Sequence, residues 1–130
     1  MSPNRSRTKK VIPLAVSVER LVEFKSEFFK ALAHPIRIRI LDELRAGEQT
    51  VSDLKQQLNL EFPNVSQQLS VLKAQKIVVT RRQGNNIYYS CVDPTIFKLL
   101  DVAKKIFSNQ LVETQEALSQ LYPSQSPTKR

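Results

Sequence analysis

A mainly α-helical α+β domain with one small β-hairpin is the fold class these residues predict, and three observations carry it. Apolar residues recur at helical spacing along most of the chain, as at Val65, Leu69 and Leu72, which fall at i, i+4 and i+7. Two β-type runs, Ile77-Val78-Val79-Thr80 and Ile87-Tyr88-Tyr89-Ser90-Cys91-Val92, flank a Gly84-Asn85-Asn86 turn, which is a hairpin pattern. A last helical pattern, opened by Asp93-Pro94-Thr95, runs to about Leu121 and is longer than one small core needs.

The 130 residues suit one domain with a real but small core. No apolar run approaches the roughly 18 residues of a membrane span, so no membrane partner is expected. The N-terminal apolar patch is broken by Pro13 and soon reaches Glu19, which does not fit a secretory signal. One cysteine excludes an intramolecular disulfide and suits a reducing cytoplasm, the expected location. The formal charge is +8, but Arg5, Arg7, Lys9, Lys10, Lys129 and Arg130, six basic residues, lie near the ends. From Ser17 to Tyr122 the remaining 14 basic residues nearly balance 12 acidic ones. The body is therefore not a general polyanion binder, and where its positive charge concentrates carries the information.

In order, residues 1–16 are rich in Ser, Pro and basic side chains and are expected to form a flexible arm. Ser17 can cap a first helix reaching Ala33, with Leu21, Phe24, Phe28 and Leu32 as its apolar stripe and Val22 and Phe29 widening it. So wide a stripe points to a partner chain. His34-Pro35 ends that helix and starts the next, and a lone His before Pro reads as a cap or packing residue rather than a ligand. Ile36, Ile38, Ile40, Leu41 and Leu44 carry the second helix to Ala46-Gly47. Thr50 with Asp53 three residues on is a capping pattern for a third helix bearing Leu54, Leu58 and Leu60. Phe62-Pro63 interrupts, and Asn64 is expected to cap a fourth helix.

That fourth helix presents Ser66, Gln67 and Ser70 opposite its apolar face. Such amide and hydroxyl side chains are unusual filler for a surface helix beside Glu and Lys, and they donate and accept at base edges in a DNA major groove. From Phe62 to Val92 the basic residues are Lys73, Lys76, Arg81 and Arg82, and no acid occurs. Two helices with a short break form a helix-turn-helix, and a basic-tipped hairpin after them makes it a winged helix. Along the last helix Ile96, Leu100, Ala103, Phe107, Leu111, Leu118 and Leu121 form a seam, with Leu99 and Ile106 alongside. The seam and the first helix are the expected homodimer interface: Leu21, Phe24, Phe28, Leu100, Ala103, Phe107, Leu111 and Leu118. Residues 123–130 read as a flexible polar tail, leaving 17–122 as the folded domain.

Three stretches resemble the arsenic-repressor (ArsR) family. Phe29 to Leu41, FKALAHPIRIRIL, resembles its opening motif; Asn64 to Leu72 resembles its recognition helix; Arg81 to Tyr89 resembles its wing. The likeness covers roughly Glu23 to Leu121 and is specific when the three are taken together. It implies a bacterial homodimeric repressor on a promoter palindrome, hence on the nucleoid, released by an inducer. By position it implies Ser66, Gln67, Gln68 and Ser70 as base or phosphate contacts from the helix, and Asn64 and Lys73 on the same helix are expected to join them, Lys73 at phosphates. Arg81, Arg82, Asn85 and Asn86 would be contacts from the wing. Gln68 stands where the family often has His.

The family's inducer sites are where this chain departs. The positions of one cysteine pair carry Thr50 and Ser52, and a second ligand set counted from Asp101 falls on Ala103, Thr114 and Ala117. Transition metals need imidazole or thiolate ligands, so no metal and no cofactor is expected. Cys91 alone could act as a redox switch only through sulfenic acid, a mixed cap or an intersubunit bond; a buried small hydrophobe is the plainer reading. An unknown non-metal signal, such as a small molecule between the first and last helices, stays open. The alternative to a regulator is a winged helix used for protein contact. No catalytic residues are expected: the chain has only Gly47 and Gly84, no phosphate loop and no acid–base pair.

Overall fold

The computed structural model describes residues 17–122; the expected arm over 1–16 and tail over 123–130 lie outside the described residues. The chain divides into two compact units between Val92 and Asp93.

The first unit opens with α1 (Val18–Leu32), where Ser17 Oγ accepts the Arg20 N–H at 3.1 Å. His34 caps α2 (Pro35–Glu43) as its Nδ1 accepts the Ile36 N–H at 3.1 Å, with Pro35 in the first turn. The second helix tightens into a 3-10 turn (Leu44–Ala46) before Gly47, whose φ of 130° lies where a Cβ is unwelcome. Helix α3 (Val51–Leu58) carries the full capping box: Thr50 Oγ1 accepts from the Asp53 N–H at 3.1 Å, and Asp53 Oδ2 accepts from the Thr50 N–H at 3.0 Å. Asn59 turns left-handed at φ 56°, so Leu60 lies beyond the helix and returns its N–H to the Lys55 carbonyl at 3.1 Å.

Helix α4 (Phe62–Ala74) corrects one expectation. Asn64 is not its cap. Glu61 occupies that position without a side-chain bond, and Pro63 sits in the first turn. Proline needs no N–H partner there and its φ is already helical, so the helix is under way when the Asn64 N–H reaches the Glu61 carbonyl at 3.1 Å.

Strands β1 (Val78–Gln83) and β2 (Asn86–Cys91) pair antiparallel, from Val78 opposite Cys91 to Gln83 opposite Asn86. The two-residue loop Gly84-Asn85 has positive φ only at Gly84 (63°), as a type II′ turn requires. A further bridge joins Gln49 to Tyr89 through both N–H groups, at 3.0 and 2.8 Å. Gln49 lies in a polar segment between two helices, with no alternating apolar pattern to mark it as a strand. Ile40, Leu41, Leu54, Val65, Leu69, Leu72, Ile77 and Val78 are buried, and they lock α2, α3, α4 and the hairpin root together.

The second unit is α5 (Thr95–Leu121), 27 residues. Asp93 Oδ1 accepts the Thr95 N–H at 2.9 Å at its start. That bond, then the Thr95 hydroxyl, holds the Asp93 carboxyl below the usual carboxylate range. No described helix is long and apolar enough to cross a membrane.

Candidate nucleic-acid interface

Helix α4 is two-faced. Val65, Leu69 and Leu72 are fully buried, whereas Gln67, Ser70 and Lys73 are exposed and Ser66 and Asn64 are half-exposed. The Ser70 hydroxyl donates to the Ser66 carbonyl at 3.1 Å, which leaves its lone pairs as acceptors at the surface. Gln67 shows no such internal commitment among the described residues, so its amide presents donors and an acceptor together. This edge carries no acidic side chain.

Gln68 is placed differently from its expected neighbours. It is only 8% exposed, with its Oε1 2.7 Å from Arg37 Nη1 and its Nε2 3.3 Å from Asn64 Oδ1. Position 68 lies three residues after Val65 and four before Leu72, which puts it on the buried stripe. That spacing was the available signal. Arg37, not singled out from sequence, also donates to the carbonyls of Ala31 (2.6 Å) and Lys30 (3.3 Å).

In the wing, side chains alternate faces along each strand, so Arg81 and Arg82 point to opposite sides. Arg81 is engaged. It donates through Nε to Glu48 Oε2 (3.1 Å), through Nη2 to Glu48 Oε1 and through Nη1 to Gln83 Oε1 (2.7 Å). Its guanidinium also lies 4.7 Å over the Tyr88 ring, its cross-strand partner. The hydrogen bond from Arg81 holds the Glu48 carboxyl below its usual range, and the same bond raises the Arg81 pKa. Glu48 lies outside the acid-free stretch from Phe62 to Val92, so only the fold brings it there. Arg82 makes no ion pair among the described residues and is exposed, as are Asn85 and Asn86 at the tip. Cys91 is half-buried at the hairpin root opposite Val78.

Each unit carries its own uncovered apolar face. On α1, Leu21 and Phe24 are exposed, Phe24 by 64%, and Phe28 is half-buried with its ring edge-on to Phe29 at 5.4 Å. On α5, Phe107 (65% exposed), Leu111 and Leu118 lie open, while Leu100 and Ala103 are half-buried. Among the described residues no group of three or more His, Cys, Asp or Glu side chains is arranged to hold a metal ion.

Known proteins share this arrangement. Residues 34–79 match the model of the bacterial regulatory protein, arsR family. The helix-turn-helix transcriptional regulator Rv0081 of Mycobacterium tuberculosis (strain ATCC 25618 / H37Rv) is 42% identical over 111 residues, 85% of this chain and 97% of that protein. Its crystal structure superposes with a TM-score of 0.66 at 44% identity, covering 72% of this chain and 95% of the other. The nodulation protein NolR of Rhizobium meliloti is 34% identical over 104 residues, 80% of this chain and 85% of its own length. A homodimeric winged helix-turn-helix DNA-binding domain from Mycobacterium bovis, Mb0332, matches with a TM-score of 0.65 at 27% identity, over 75% of this chain and 93% of that domain. With its helix-turn-helix, its wing and these relatives, the chain belongs to the arsR family of bacterial regulatory proteins and is a DNA-binding transcriptional regulator, not an enzyme.

Proposed function

We propose that the chain is a repressor that binds a palindromic promoter site as a homodimer and leaves it in response to a non-metal signal. The polar edge of α4 carries this reading: Gln67, Ser66 and Ser70 stand on the outer face of a helix whose inner face is locked into the core. Gln67 and Ser66 read base edges, while Lys73, Arg82, Asn85 and Asn86 meet the sugar-phosphate backbone. Two α4 helices then enter successive major grooves, roughly 34–36 Å apart. The apolar faces of α1 and α5 supply the homodimer contact. The signal is assigned as non-metal because the family's ligand positions here carry Thr50, Ser52, Ala103, Thr114 and Ala117. The protein is expected to act in the cytoplasm, on the nucleoid.

The test is fluorescence anisotropy with DNA from immediately upstream of its own gene, against a scrambled duplex at the same salt. Selective binding is expected, with log affinity falling linearly against log salt by about 0.9 per phosphate contact. Gln67→Ala should cut discrimination by about tenfold or more. Equal binding of both duplexes, unchanged by Gln67→Ala, would overturn the base-reading assignment.

A further inference from the structure

We propose that Gln68 is a positioning residue: with Arg37 it ties the recognition helix α4 to the C-terminal end of α1, and sequence discrimination depends on that tie although neither side chain touches a base. This rests on the DNA-binding reading above and reassigns a residue that sequence position alone places against DNA.

Three bonds carry it. The Arg37 guanidinium reaches the Ala31 carbonyl at 2.6 Å, the Lys30 carbonyl at 3.3 Å and Gln68 Oε1 at 2.7 Å. Carbonyls in the last turn of a helix form the negative end of its dipole, and that of Lys30 also accepts the Ala33 N–H at 3.1 Å. A cation is the fitting partner, and the rigid fork of arginine can hold acceptors from two helices at once. Arginine only donates, so it fixes which end of the Gln68 amide faces it. The other end donates to Asn64 Oδ1 at 3.3 Å, in the first turn of α4. The resulting chain runs from α1 through α2 to the leading end of α4.

Base reading by Gln68 would require breaking this chain. The amide, only 8% exposed, would have to leave the half-buried Arg37 guanidinium without its acceptor, and lost hydrogen bonds to charged groups are costly. Gln67 and Ser70 reach the surface without that penalty. Because hydrogen-bond geometry weakens steeply with distance and angle, a tie that fixes the tilt of α4 governs how well Gln67 and Ser66 meet their bases.

The experiment starts with duplexes enriched from a random-sequence pool by the wild-type chain. Anisotropy then compares the enriched and scrambled duplexes for wild type, Gln68→Glu, Gln68→Leu and Arg37→Met. Gln68→Glu keeps an acceptor opposite Arg37, so it should retain discrimination and the same preferred base at every position. Gln68→Leu and Arg37→Met should each lose about tenfold in discrimination. Their combination should be no worse than either alone, since both break one link. Backbone amides of Lys30 to Ala33 should shift in the NMR spectrum of Gln68→Leu without DNA, a signature that base reading does not predict. If Gln68→Leu fails to fold by circular dichroism, the comparison of Gln68→Glu with wild type on singly substituted duplexes carries the test. A changed base preference in Gln68→Glu, or a loss as complete as in Gln68→Leu, overturns the proposal. A wild-type chain that enriches no sequence at all would instead overturn the regulator reading on which it stands.

Discussion

Adjacent in sequence, Arg81 and Arg82 face opposite sides of the hairpin and meet different chemistry. Arg81 is held side-on by Glu48 and flanked by Gln83 and Tyr88, so a phosphate must compete with a carboxylate for its charge. Arg82→Ala should therefore lower the slope of log affinity against log salt by about 0.9, and Arg81→Ala by clearly less. In a Glu48→Gln background the Arg81→Ala effect should rise toward one full contact. Equal slopes for the two alanine variants in the wild-type background would show that Glu48 does not restrain Arg81. The pair also has a pH signature. The Glu48 carboxyl titrates below its usual range when folded, so the pair contributes above the ordinary carboxylate pKa and is lost as pH falls through the lowered value. The Arg81 Nε–H resonance followed downward in pH should keep its position through the ordinary carboxylate range and move only below it.

At the scale of the element, the helices were legible because their signals are local. The Val65, Leu69 and Leu72 spacing, the Thr50–Asp53 box, the His34-Pro35 break and the Gly84 turn each depend on neighbours within a few residues. What failed was competition between local signals, as when Pro63 took the helix start from Asn64. What was invisible required distant pairing: Gln49 against Tyr89, Glu48 against Arg81, Arg37 against Gln68. The polar and basic residues proposed to face DNA were legible as a group on α4 and the hairpin, but not which of them the fold would turn inward, as it does Gln68. Two measurements belong here. Thr50→Ala should destabilise the first unit by about 1 kcal/mol through the lost cap. Leu69→Ala, which opens a cavity where α4 meets the core, should cost about 2–5 kcal/mol. Chemical denaturation reads both, and near-equal losses would mean that α4 is not held chiefly by its buried face.

The whole molecule is defined by what it leaves uncovered. The exposed apolar surface of each unit, with Phe24 on α1 in the first and Phe107, Leu111 and Leu118 on α5 in the second, is of a kind that a partner chain buries. If a second copy covers it, Leu111→Glu should shift sedimentation toward the monomer and weaken operator binding, with α4 still folded. A variant that stays dimeric with unchanged affinity would remove α5 from the interface. A chain that is monomeric from the outset and pairs only with a different protein would favour the protein-contact reading.

The Gln49–Tyr89 bridge gives the wing two lifetimes. In its inner half, two pairs from the root, Tyr89 and Gln49 donate to one another's carbonyls, at 2.8 and 3.0 Å, so neither amide can open to solvent alone. At its tip, Gly84 and Asn85 are held only by the last pair of the ladder, Gln83 with Asn86. Amide exchange should therefore be fast at the tip and slow, with matching rates, at Gln49 and Tyr89. The tip can then sample the contour of a DNA backbone many times during one opening of the inner half, and a probing wing need not be a melting one.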